Sequence, residues 1–313
     1  MYQPYIRGKQ FELIGIRELS QSVLKTNKTK VSPIIEPVRD SSTFKSTIRE
    51  LAKNDINFTI IINPQVGSFR NPETIIEKLK ESLGAYNNYQ IGVIFHSATN
   101  HQKIIRILQN NKSTVPALSI IHNTIDDKIE DTLLLYKQDF DVKFNIINLK
   151  HTSRRYHRNF DKNTLIELDD YFVSQSKNSD YLEIDESNFS EEHLYYKQDG
   201  FKGFSDYLSI GEDYSETGFL PYAVAIHLSY AEPLTQRIKV KHFVSDSNDD
   251  QSDIAGKFAE ALQKLIQWCD MENYDSIAIN EFREFHQNGH FPGLGTLKKL
   301  SLKNHIDLVL KLI

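Results

Sequence analysis

Six apolar runs in this chain end on polar residues that could do chemistry: Glu36, Asn63, His96, His122, Asn148 with Lys150, and Asp169 with Asp170. Carboxylates and imidazoles together can divide general acid and base work, or offer oxygen and nitrogen ligands to a divalent cation. In parallel α/β folds, ligands bind at the carboxyl ends of the strands. If these runs are strands of one closed sheet, their polar ends converge on one mouth. Strand neighbours alternate in direction, so only one of Asp169 and Asp170 can face inward; we favour Asp170.

Three further candidates lie beyond the repeat. Asp206 sits in GFKGFSDYLSIGEDY (200–214), whose three glycines allow tight turns. His227 interrupts the apolar run YAVAIHLSY (222–230), where it shares a face of small residues with Ala223, Ala225 and Ser229. His242 lies in the next run, on a face with Ile238, Val240 and Val244. The candidate catalytic set is therefore Glu36, His96, Asp170, Asp206 and His227. Asn63, His122, Lys150, Arg154, Arg155 and His242 are the candidate ligand-binding residues. Such a set fits binding or metal-assisted hydrolysis of a phosphate-bearing ligand, with Mg or Mn as the expected cation.

Each residue also has a structural reading. His96 and His122 could cap the following helices or bond to loop carbonyls. Glu36 could pair with Arg7 or Arg39. His242 could be a core histidine with a partner. Chain patterns carrying a specific reaction (HExxH, Walker A, GxGxxG, GxSxG) are not present.

The elements that must position these groups recur at intervals of roughly 25–32 residues, the length of a βα unit. Strands are predicted at 31–38, 57–63, 90–96, 117–122, 142–148 and 164–172, separated by amphipathic helices. Ser41 or Ser42 is a cap for the helix carrying Phe44, Ile48 and Leu51. Asn71-Pro72 opens the next helix and Gly84 stops it. Thr124 to Asp127 resembles a capping box. After His151–Arg158 the pattern loosens. A short strand is expected at 207–210, an antiparallel hairpin at 222–230 and 237–245, a helix capped by Ser252, and a last helix over 297–312. The expected architecture is an α/β, TIM-barrel-like (βα) repeat with an irregular, hairpin-containing second half. It is drawn as one domain over 1–313, with 151–220 as a loop-rich insertion. A doubly wound open sheet is the alternative.

Composition is that of a globular protein, with 39% hydrophobic and 25% charged residues. No apolar run is long enough to cross a bilayer, and the first residues do not read as a signal peptide, so no membrane association and a cytoplasmic location are expected. The single cysteine, Cys269, excludes an intrachain disulfide and a cysteine-based zinc site. The formal net charge of −5 argues against broad binding to nucleic acid. Only a local patch, such as Arg154, Arg155 and Arg158 with the aromatics of HLYYKQDG, could provide it.

The opening MYQPYIRGKQFELIGIREL…VSPIIEPV resembles the start of the bacterial and phage "beta family" proteins. The runs GFKGFSDYLSIG, PYAVAIHLSY and VKHFVSD look closer to an uncharacterised bacterial branch of that family. Its members are often encoded beside a predicted nuclease-like protein, in regions that resemble phage-defence islands. The resemblance covers most of the chain, most weakly 100–165, and implies a barrel-like α/β fold and no established active site. It adds a second functional expectation: a non-catalytic partner or regulatory subunit of a nuclease-like protein, docking through HLYYKQDGFKGF.

Overall fold

A computed structural model describes residues 1–125, 128–153, 155–215 and 220–313. The expected helix start at Asp126-Asp127 and the candidate Arg154 lie outside the described residues. The chain divides into two compact units where the sequence reading drew one domain. The first comprises Met1–Asp170 and Leu194–Asp206; the second comprises Tyr171–His193 and Tyr207–Ile313.

The first unit is a TIM-barrel-like α/β fold. Its strands are β1 (Tyr5–Ile6), β2 (Ile34–Ile35), β3 (Phe58–Ile61), β4 (Tyr89–Phe95), β5 (Leu118–His122), β6 (Val142–Asn148) and β7 (Leu165–Asp169). In chain order β8 (Glu186–Ser190) belongs to the second unit, and β9 (Gly203–Asp206) returns to the first. The eight barrel strands pair in parallel in the order β1-β2-β3-β4-β5-β6-β7-β9. Tyr2 bridges Val31 on one side and Phe204 on the other, which brings the two edges of the sheet together. Gln3 N–H donates to Phe204 O at 2.9 Å and Phe204 N–H to Met1 O at 3.0 Å. Gly203 makes this approach possible: a Cβ there would stand 2.3 Å from the Met1 carbonyl oxygen. The expected strand at 207–210 is thus corrected. The strand is Gly203–Asp206, and Leu208–Ile210 forms a 3₁₀ turn.

Helices α1 (Gln10–Ser20) and α2 (Val23–Thr26) follow β1, and α3 (Ser42–Lys53), α4 (Pro72–Leu83), α5 (His101–Asn110) and α6 (Ile129–Lys137) follow β2 to β5 in turn. Local chemistry sets their ends. Ser41 accepts from Phe44 N–H and Asn71 from Glu73 N–H, with Pro72 in the first turn where its missing donor costs nothing. Ile75, Ile76, Leu79 and Leu83 bury one stripe of α4, as the spacing predicts.

Strand register shows which side chains enter the barrel. Thr59 on β3 and Ser119 on β5 bond to each other at 3.4 Å although β4 lies between them. Both must therefore point inward, over Gly92 of β4, whose register partners are Ile61 and Ser119. Parallel partners share a face, so the inward set continues through Tyr5, Ile34, Phe144, Ile146, Ile166, Leu168 and Ser205.

The second unit joins β10 (Ala225–Ala231), β11 (Ile238–Val244) and β8 in an antiparallel sheet, order β10-β11-β8. The short α7 (Glu192–Tyr195) precedes the chain's return to β9. Ile226, Leu228 and Phe243 form a core with α8 (Ile254–Met271), α9 (Ile277–Asn288) and Leu297 and Leu300 of α10 (Leu294–Leu312). Asp253, one residue after the expected Ser252, caps α8 by accepting from Gly256 N–H. The hairpin therefore belongs to a separate sheet and does not interrupt the eight-stranded barrel.

Candidate functional site

Glu36 continues the β2 ladder, with its N–H donating to Ile6 O at 2.9 Å. Its side chain is fully buried and follows the inward parity of Ile34. Three donors converge on it. Tyr5 Oη donates to Oε2 at 2.6 Å, Gln65 N–H donates to Oε1 at 2.7 Å, and Arg7 Nη1 forms an ion pair with Oε2. Arg7 also follows Tyr5 by two residues, and its guanidinium lies 5.4 Å from the Tyr5 ring centre. A carboxylate held by three donors has its oxygens occupied. It serves well to orient a guanidinium.

The same alternation, followed to the strand ends and just past them, places Asn63, His96, Asn123, Asn148 and Asp170 on the inward side at the C-terminal end. They do different work. Asn63 spans two strands: its amide donates to Ile94 O and accepts from Ile94 N–H, both at 2.8 Å. Asn148 Oδ1 accepts from Lys150 N–H at 3.1 Å. His96 is exposed, and its Nδ1 accepts from Ala98 N–H at 3.3 Å; the α5 cap is Asn100. Asp170 N–H donates to the neighbouring Asp169 carboxylate at 2.8 Å. Lys150 and Arg155 are exposed on the connection after β6. Asn123, absent from the sequence-derived set, has a buried Oδ1 with no hydrogen-bond partner. Period two counted from Ile121 would have found it.

Two candidates take the opposite parity. His122 faces away from the barrel interior, fully buried among Phe95, Tyr156 and Phe160. Its ring nitrogens meet Tyr156 Oη and Asn145 Oδ1, each at 3.2 Å. Asp206 is also outward and buried, and accepts from Tyr2 Oη at 2.8 Å. Burial, then the Asp206 charge, raises the Tyr2 phenol well above its ordinary range.

His227 and His242 belong to the second unit. They are direct partners in the β10–β11 ladder, with their Nδ1 atoms 2.8 Å apart. Burial, reinforced by His242 and Lys298, pushes His227 down to about 3. Burial pushes His242 down to about 4, with Asp185 opposing. Cys269 is buried and its thiol is pushed up to about 12, which makes it unreactive.

Among the described residues, no group of three or more His, Cys, Asp or Glu is placed to hold a metal ion, and no helix is long and apolar enough to cross a membrane. In the HLYYKQDGFKGF segment, His193, Tyr196, Phe201 and Phe204 are buried, and Tyr195 is 39% exposed. Comparison with known proteins finds no matching family model, no matching curated protein and no matching solved structure.

Proposed function

We propose that the first unit binds a small phosphate-bearing ligand at the C-terminal mouth of its barrel. The carrying observation is Arg7, held by the buried Glu36 on the inward side of the first two strands. A guanidinium fixed in this way has little freedom left to lose on binding, and its planar donors match phosphate oxygens. Lys150 and Arg155 add cations from the β6 connection. This reading favours binding over turnover, because Glu36 is committed to its three donors. The family resemblance supports a setting in phage defence. Under that setting, partnership with a nuclease-like protein is the alternative. The inward packing of the HLYYKQDGFKGF aromatics gives that docking segment little support.

Titration calorimetry with pyrophosphate and nucleoside triphosphates, in chloride buffer, tests the binding reading. Saturable binding that weakens at least tenfold in Arg7→Gln is expected. Absence of heat from wild-type protein at millimolar ligand would refute it.

A further inference from the structure

Ser187, His242 and His227, one from each strand of the second unit's sheet, lie along a continuous line of hydrogen bonds. Ser187 Oγ is 3.0 Å from His242 Nε2, and His242 Nδ1 is 2.8 Å from His227 Nδ1. The order is hydroxyl, imidazole, orienting group, which is how a serine nucleophile is activated and its base aligned. A second imidazole stands where a carboxylate is more usual.

The tautomers follow from counting protons. If the Ser187 hydroxyl donates to His242 Nε2, the proton of neutral His242 is on Nδ1. That proton is donated to His227 Nδ1, and His227 carries its own proton on Nε2. Every contact then has one donor and one acceptor. Burial keeps both rings neutral at pH 7, the state a general base needs. The rings are also clamped: the Tyr181 ring centre lies 4.5 Å from that of His242 and 4.6 Å from that of His227, and Phe172 lies 5.2 Å from His227.

His242 forms part of the wall of a cavity of about 280 Å³ whose lining is mixed, with Tyr181 and Trp268 beside the charged Asp185, Lys241 and Lys264; Ser187 lies outside that wall. Leu182 and Met271 are exposed at 43% and 76%, so this wall is open to solvent. Two residues before Ser187, Asp185 holds the left-handed backbone conformation with φ 58°, and its carbonyl accepts from His242 N–H at 2.8 Å. The β11–β8 pairing also shifts register between Ile238 and Lys239. Strained residues and bulges of this kind re-aim side chains. Ser187 itself is partly exposed.

We propose that Ser187 is the nucleophile, His242 the general base and His227 the positioning residue of a site that hydrolyses carboxylic esters. Ser187 Oγ bonds to the acyl carbon as its proton passes to His242 Nε2. The ester C–O bond breaks, and the leaving alkoxide takes that proton and departs as the alcohol. Water then attacks the acyl-serine, losing its proton to His242. The acid leaves, and the proton returns to Ser187 Oγ. No cofactor or oxidant enters. The proposal is independent of the barrel-mouth reading and can fail or stand without it.

The test is covalent labelling of the full chain with an alkyl fluorophosphonate, read by intact mass and peptide mapping, with hydrolysis of p-nitrophenyl butyrate alongside. One adduct on Ser187 is expected. It should vanish in Ser187→Ala, and labelling should slow by about 100-fold or more in His242→Gln. His227→Gln should retain labelling at a reduced rate and shift the acid limb of rate against pH, a change that loss of packing alone would not produce. Ester turnover should be lost with labelling in Ser187→Ala. Wild-type protein that takes no adduct at millimolar probe, or takes it on another residue, overturns the proposal without reliance on any variant folding.

Discussion

His227 and His242 face each other across the β10–β11 ladder with their Nδ1 atoms 2.8 Å apart. Two imidazoles this close cannot both carry a proton on the facing nitrogen, and a charge on either would be poorly solvated. The pair is held neutral by its surroundings, and that has a thermodynamic consequence.

Acid should destabilise the second unit through these two groups. In the unfolded chain both titrate near 6.5, whereas the folded protein holds them at about 3 and about 4. The unfolded state therefore binds more protons below pH 6.5. The stability present above that pH falls as the pH drops and levels off only near the folded values. Asp185 and Glu186 moderate the effect at His242, Lys241 adds to it there, and Lys298 adds to it at His227. By pH 5 each histidine should cost on the order of 2 kcal/mol, and the pair about 4 kcal/mol. Urea unfolding at pH 7.5 and pH 5 should show this loss in the wild type, and a flatter dependence in the His227→Gln/His242→Gln double variant. Equal slopes in the two proteins would contradict the account.

Removing Glu36 alone should be costly. Glu36→Ala leaves the Arg7 guanidinium half of a buried pair and strips Tyr5 Oη and Gln65 N–H of their acceptor. A loss of about 3–5 kcal/mol is expected. The Arg7→Met/Glu36→Leu double variant should be milder than Glu36→Ala, because no charge is then left without its partner. Chemical denaturation of the three proteins checks the order.

Tyr2→Phe probes the barrel seam. The ring contact with Phe204, at 5.2 Å between centres, is retained, and only the donor to buried Asp206 is lost. About 1–3 kcal/mol should disappear. Amide hydrogen exchange should quicken first at Gln3 and Phe204, whose N–H groups bond across the seam. Uniform protection there would show that the seam does not depend on this bond.

The α8 cap should respond sharply to one methyl group. A Cβ at Gly256 would lie 2.2 Å from Asp253 Oδ2, so Gly256→Ala must displace the capping carboxylate. Its cost should be about 0.5–2 kcal/mol, similar to Asp253→Ala. The double variant should lose little more than the worse single one, since both remove the same bond. Additive losses in thermal unfolding would count against that explanation.

The sequence by itself determined the succession of strands from β2 to β7 and of the helices between them. Apolar runs such as 142–148 and caps such as Asn71-Pro72 act through near neighbours, so their period and chemistry are visible locally. Alternation also told that only one of Asp169 and Asp170 faces inward; which one follows from the register of β7 with β9. Tertiary structure decided the rest. Closure by Tyr2 against Phe204 joins residues some two hundred positions apart, with no local signal in the chain between them. That ring defines inside and outside, and so separates Glu36 from His122 and Asp206, although all three end apolar strands. It also fell to long-range pairing to set β8 beside β11, which brings Ser187 to His242. A serine in a short polar strand has no periodic signature; its meaning comes from the imidazole that the sheet brings within 3.0 Å of it.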